Sequence, residues 1–96
     1  MNNAEALAKI QDAASARPAR VDMSLQHAIQ RRKGRNIQRQ DVLYCLTTAN
    51  NCAPDTIPGR WKVCGEDLDG DSLTLIVTIE EVLRGADRVV LITGFE

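Results

Sequence analysis

The stretch that decides the fold is RWKVCGEDLDGDSLTLIVTIE, residues 60–80. Apolar residues recur at every second position on both sides of residues 66–71, which is the period of a β-strand with one buried face. Residues 66–71 contain four acidic residues and Gly70, a composition typical of a hairpin loop. The stretch therefore predicts two antiparallel strands, at residues 60–65 and 72–80, joined by an acidic turn.

The flanking segments extend this hairpin into a meander. Residues 87–95 are rich in Val, Leu and Ile and predict a last strand, while residues 81–86 predict a connection with Gly85 as the turn residue. Residues 50–59 contain two prolines and predict a loop.

The N-terminal half has helical signals. Residues 3–16 carry a modest apolar stripe that stops before Pro18, which predicts a peripheral helix. Residues 20–23 alternate polar and apolar side chains, as an edge strand does. Residues 25–33 predict a helix with Ser24 as its N-cap and Gly34 at its end.

A further helix is predicted to begin near Gln38. Asp41 stands three residues later, which is the spacing of a capping box, and apolar residues then form a stripe up to Asn50. Together the elements predict an α+β fold, in which N-terminal helices pack on a small antiparallel β-sheet meander. Residues 1–19 are predicted to be a helical extension, and residues 20–96 the main domain.

Composition narrows the class of protein. A chain of 96 residues with 44% hydrophobic content fits one compact domain. Cys45, Cys52 and Cys64 are odd in number and lack CxxC spacing, which predicts buried or half-buried thiols instead of a disulfide framework or zinc ribbon. The sequence shows neither a signal peptide nor an apolar stretch long enough to cross a membrane, so a cytoplasmic protein without membrane association is expected.

Alternating acids at Asp67, Asp69 and Asp71 suggest calcium, but the pattern departs from an EF-hand loop because Gly70 precedes the third acid. A solvated hairpin tip is the favoured interpretation. Neither a metal nor any cofactor is predicted.

The net charge of −1 conceals two oppositely charged halves. Residues 17–40 hold seven basic residues against one acidic residue, and residues 66–96 hold eight acidic residues against two basic ones. A basic region of this kind can recruit a polyanion. The acidic half can either bind a basic partner or serve solubility.

His27, the only histidine, lies four residues before Arg31 on the helix predicted at residues 25–33. This spacing places an imidazole beside a guanidinium on one helix face. A histidine that serves only as a structural hydrogen bonder, and basic side chains that are simply solvated, are the alternatives.

A resemblance to a known family favours a functional role for these residues over a purely structural one. The spacing of His27, Arg31, Arg35 and Ile37, followed by Asp41-Val42, resembles the signature H-x3-R-x3-R-x-I-x3-D-[IV] of the bacterial family called domain of unknown function 4258. The order of the later strands agrees, over about residues 20–95. Asn36 stands where the family has glycine, and Gly94-Phe95 replaces a polar aromatic residue after Thr93.

This family is grouped with RelE-like toxins of bacterial toxin–antitoxin pairs. The resemblance implies a RelE-like fold and metal-independent cleavage of single-stranded RNA, with messenger RNA as the expected target. It also implies a partner antitoxin protein that holds the toxin inactive, and it points to Thr93 as a site position.

The chemistry of such cleavage assigns roles to these residues. His27 can act as the general base or acid, because its ordinary pKa is about 6.5. Arg31 completes the predicted catalytic pair, and Arg32, Arg35 and Lys62 are the candidates for binding phosphate. Trp61 is expected to serve the core more than to stack on a base.

Three hypotheses remain open on the sequence: a ribonuclease toxin, a non-catalytic domain of the same fold that binds nucleic acid or an acidic protein, and a purely structural role for the histidine and arginines. The oligomeric state is left open.

Overall fold

A computed structural model describes residues 1–16, 20–23, 38–80 and 87–95. Two helices and five strands follow one another along this part of the chain. They are α1 (Asn3–Ala16), β1 (Val21–Asp22), α2 (Arg39–Thr48), β2 (Asn51–Pro54), β3 (Arg60–Glu66), β4 (Ser72–Glu80) and β5 (Arg88–Phe95). The α+β class predicted from the sequence is confirmed. The helix predicted at residues 25–33 and the connection at residues 81–86 lie outside the described residues.

The strands form one mixed sheet in the order β1-β5-β4-β3-β2. Strands β3, β4 and β5 pair antiparallel in sequence order, which confirms the predicted meander, and β2 adds a fourth antiparallel strand to it. Strand β1 is the edge strand expected at residues 20–23, but it pairs parallel to β5, with Val21 opposite Val89. The prediction of a purely antiparallel sheet is therefore wrong at this edge.

Strand β2 lies inside the segment predicted to be a loop. Asn51 pairs with Cys64 and Pro54 with Trp61, so β2 forms hydrogen bonds along most of the edge of β3 that β4 leaves open. Proline is compatible with an edge strand because its missing N–H is not needed there. The two prolines thus restrict this segment to the edge of the sheet without preventing it from pairing.

Strand alternation gives the sheet two faces. The inner face carries side chains that pack with α1 and α2 in the hydrophobic core, namely Val63, Leu73, Leu75, Val77, Val89 and Leu91. The outer face carries the alternate residues, namely Arg60, Lys62, Cys64, Glu66, Ser72, Thr74, Ile76, Thr78, Glu80, Arg88, Val90, Thr93 and Phe95. A register shift between Ile76 and Val77 leaves Ile92 as the extra residue of β5.

One face of helix α1 is buried in the hydrophobic core, which the sequence did not predict. Ala6, Ile10, Ala13 and Ala14 are buried in the same core as the sheet, so the expectation of a peripheral helix is wrong. Small alanine side chains allow the helix to approach its neighbours closely. Alanine is also only weakly hydrophobic, so the apolar stripe has a low hydropathy. Gln11 also donates hydrogen bonds from Nε2 to the carbonyl oxygens of Thr47 and Ala49, at 3.2 and 2.7 Å.

The start of α2 follows the predicted capping box. The backbone N–H of Gln38 donates to Asp41 Oδ2 at 3.1 Å, which satisfies a group that the helix itself leaves unpaired. The other carboxylate oxygen of Asp41 accepts the backbone N–H of Leu68 at 3.2 Å. One buried side chain therefore joins the beginning of α2 to the turn between β3 and β4.

Candidate nucleic-acid interface

The predicted site residues divide into two groups. His27, Arg31, Arg32 and Arg35 lie outside the described residues, so their predicted roles stay predictions. Lys62 lies on β3 and Thr93 on β5.

Lys62 and Thr93 share one row across the sheet. Lys62 is opposite Ile76 on β4, and Ile76 is opposite Thr93 on β5. Directly opposite residues point to the same side of a sheet, and adjacent strands lie about 4.8 Å apart, so the two backbones are separated by about 10 Å. The structure thus places both candidates on the outer face, on either side of Ile76.

Arg60 is a further cation of this face, and it is not among the site residues predicted from the sequence. It precedes Lys62 by two residues on β3 and is opposite Thr78. Its spacing from Lys62 was the available signal, because residues two apart on a strand share a face. Arg60 is half-buried, whereas Lys62 is exposed, so the outer face presents two cations along one strand.

Arg88 lies on the same face but is neutralised by acids. Its guanidinium forms ion pairs with Glu80 at 2.9 Å and with Asp22 at 3.6 Å. These pairs connect β4, β5 and β1 at one end of the sheet. Arg88 is therefore a weaker candidate for an incoming phosphate than Arg60 or Lys62, because its charge is already compensated.

Among the apolar side chains that the structure describes on this face, Phe95 is exposed and lies opposite Thr74, whereas two others are buried. Ile76 and Val90 are buried, at 5% and 7% exposure. Trp61 belongs to the inner face, opposite Val77, and packs against the core. The expectation that Trp61 serves the core is confirmed, and Phe95, at 40% exposure, is the aromatic side chain that the described part of the outer face offers to a base.

The three cysteines behave as the composition predicts. All are free, with Cys45 and Cys52 buried and Cys64 half-buried. Burial raises the pKa of the Cys45 thiol to about 12, with smaller contributions from Cys64 and Asp67, and burial followed by Cys64 raises the pKa of Cys52. Cys52 lies on the inner side of β2 and Cys64 on the outer face of β3, so the sheet separates these two thiols.

The acidic turn is more ordered than a solvated tip. Asp67 is fully buried, and its Oδ1 accepts the backbone N–H groups of Asp69 and Asp71 at 2.9 and 3.0 Å. Oxygens of the three carboxylates lie within 4.8 Å of one another. Because backbone donors already occupy Asp67, the arrangement explains the shape of the turn, and the absence of a metal stays a prediction.

Comparison with known proteins adds no assignment. The chain matches no protein-family model, no curated protein and no solved structure. Among the described residues, neither helix has the length and apolar character that crossing a membrane requires.

Proposed function

We propose that the protein is a RelE-like toxin of a toxin–antitoxin pair, a ribonuclease that cleaves single-stranded messenger RNA in the bacterial cytoplasm without a metal. The resemblance of residues 27–42 to the family signature suggests this activity. The structural observation that supports it best is the outer-face row of Lys62 and Thr93, with Arg60 beside Lys62. This row supplies positive charge and a hydroxyl on a rigid sheet.

Cleavage requires three actions on the RNA. A base removes the proton of the 2′-hydroxyl, whose oxygen attacks the neighbouring phosphorus, and an acid protonates the 5′-oxygen as its bond to phosphorus breaks. Fixed positive charge stabilises the oxygens of the transition state. The product strands then end in a 2′,3′-cyclic phosphate and a 5′-hydroxyl.

The residues of the chain suit these actions. In the proposal His27 transfers protons, and Arg31 stabilises the charge that develops on the phosphate. Arg32, Arg35 and Lys62 bind the phosphate, and Thr93 donates a hydrogen bond from its hydroxyl. Lys62 is exposed on a strand, where it can receive the backbone of an RNA without reordering the sheet.

Expression in a bacterium tests the proposal. Wild-type protein is expected to arrest growth, and either His27→Ala or Arg31→Ala is expected to restore it at equal protein level. Lys9→Ala is the control, since Lys9 lies on α1 and pairs with Asp87 at 3.1 Å, away from the outer face. An inert wild type, or an arrest that survives both substitutions, contradicts the proposal.

The non-catalytic alternative is favoured by one observation, namely that the described outer-face candidates are cations and a hydroxyl without an acid–base pair. Retained RNA binding that weakens steadily with salt, in a protein that neither arrests growth nor cleaves RNA, would support that alternative.

A further inference from the structure

A cleft of about 420 Å³ lies at the end of the sheet where β3 runs past the start of β2. Its walls include Tyr44 and Thr48 of α2, Cys64 and Glu66 of β3, and Ser72 and Thr74 of β4. This volume is within the range of pockets that bind small molecules, roughly 300–1,000 Å³. The cleft therefore has room for a small ligand or for a long side chain.

Two of the four hydroxyl groups that line this cleft, those of Thr48 and Thr74, are oriented by hydrogen bonds within the protein. Thr48 Oγ1 donates its proton to the carbonyl oxygen of Tyr44 at 2.7 Å. Thr74 Oγ1 donates to Cys64 Sγ at 3.9 Å. A hydroxyl has one proton and two lone pairs, so a group that has already donated can only accept from a ligand.

The charged residues of the cleft also favour a ligand that donates hydrogen bonds. Glu66 is exposed and acts only as an acceptor when ionised, and none of the described residues that line the cleft is Lys, Arg or His. Tyr44, which is 41% exposed, adds an aromatic ring to the lining, and aromatic rings attract cations. Acceptors without competing cations, together with a carboxylate and an aromatic ring, select a ligand that is cationic and donates hydrogen bonds.

We propose that this cleft binds a guanidinium group. A guanidinium has five donors and no acceptor, and its planar shape allows it to pair with a carboxylate while stacking on a ring. The acceptors on Thr48, Glu66 and Thr74 are spread over two strands and a helix, which suits a fork of donors better than the compact head of a lysine. This inference does not rest on the proposed ribonuclease activity, because none of its residues belongs to that site.

The guanidinium can belong to a free metabolite or to an arginine side chain of a partner protein. Agmatine represents the first source and N-acetyl-arginine amide the second. Both are titrated into the 15N-labelled full chain while the amide resonances of Cys64, Glu66 and Thr74 are followed by NMR. Saturable shifts with both probes support the proposal, and saturation by one alone also supports it and identifies the source.

Substitutions distinguish this cleft from general charge attraction. Glu66→Gln is expected to weaken the affinity by about fivefold, the upper range for an exposed ion pair. Thr74→Val is expected to weaken it as well, because it removes an acceptor with little change in volume. Asp12→Asn on the exposed side of α1 removes the same charge elsewhere and should leave the affinity unchanged.

The proposal is overturned if neither probe gives saturable shifts at the cleft, or if Asp12→Asn weakens binding as much as Glu66→Gln. Unchanged chemical shifts for core residues in each free variant establish that the fold is intact.

Discussion

Gly65 of β3 lies directly against Cys45 of α2, with no room for a side chain between them. A Cβ at Gly65 would fall 2.8 Å from the carbonyl oxygen of Cys45 and 3.0 Å from its Sγ. The absence of a side chain at one strand position thus sets how closely α2 approaches the sheet. That approach brings Tyr44 and Thr48 to the cleft.

Replacing Gly65 with alanine is therefore expected to lower the free energy of unfolding by about 2–3 kcal/mol, the cost of overpacking a close contact. Urea denaturation measures this change. Gly70→Ala is the comparison, because Gly70 has open space around its Cβ position and its only penalty is the positive φ of 84°. A Gly65→Ala variant as stable as the wild type would show that a side chain can be accommodated against α2.

The carboxylate of Asp41 joins the start of α2 to the turn between β3 and β4, so removing this carboxylate should affect both. Asp41→Ala is expected to cost about 2 kcal/mol of stability, because the backbone N–H groups of Gln38 and Leu68 are both left without this acceptor. Hydrogen exchange at these two amides should accelerate together. Asp12→Ala, on an exposed helix position, is the control and should change stability by less than about 0.5 kcal/mol.

Stability is expected to fall at alkaline pH because of Cys45. Its folded-state pKa of about 12 lies above the ordinary value of 9.0, so the buried thiol contributes fully below about pH 9 and loses its contribution as the pH rises from there toward 12. The slope is about 1.4 kcal/mol per pH unit for one such thiol. Urea titrations at pH 8–10.5 measure it, and Cys45→Ala should have a shallower slope than wild type. Identical slopes in the two proteins would contradict this cause.

The sequence predicted more of the fold than of the site. Alternation around residues 60–80 located β3 and β4, and the pair Gln38 and Asp41 located the start of α2. Strand β2 was missed because four residues with a terminal proline give too weak a local pattern; pairing with the longer β3 makes them a strand. Burial of α1 was missed because alanines contribute close packing more than hydropathy.

The site depends on strand register, which the sequence does not specify. Lys62 and Thr93 are 31 positions apart, and their common row follows from two strand pairings and one bulge. The alternation of β3 alone indicates that Arg60 and Lys62 share a face. Their relation to Thr93 required the structure.

The outer-face cations should govern RNA affinity. Lys62→Ala and Arg60→Ala are each expected to weaken binding of a single-stranded RNA. Each should also lower the slope of log affinity against log salt by about 0.7 for every phosphate that the removed cation neutralises. Fluorescence anisotropy over a salt series measures both quantities. Lys9→Ala, which removes a cation from α1, should leave the slope unchanged. A slope that falls equally in all three variants would assign the effect to net charge instead of to this face.

In the proposed function, His27 transfers protons during RNA cleavage. The most direct test of this role is the sequencing of 5′-hydroxyl RNA ends in bacteria that express wild-type protein or His27→Ala at equal level. A proton-transfer role of His27 predicts new 5′-hydroxyl ends within messenger RNA for wild type and none above background for His27→Ala. The same set of ends in both strains, or no new ends in either, would contradict it.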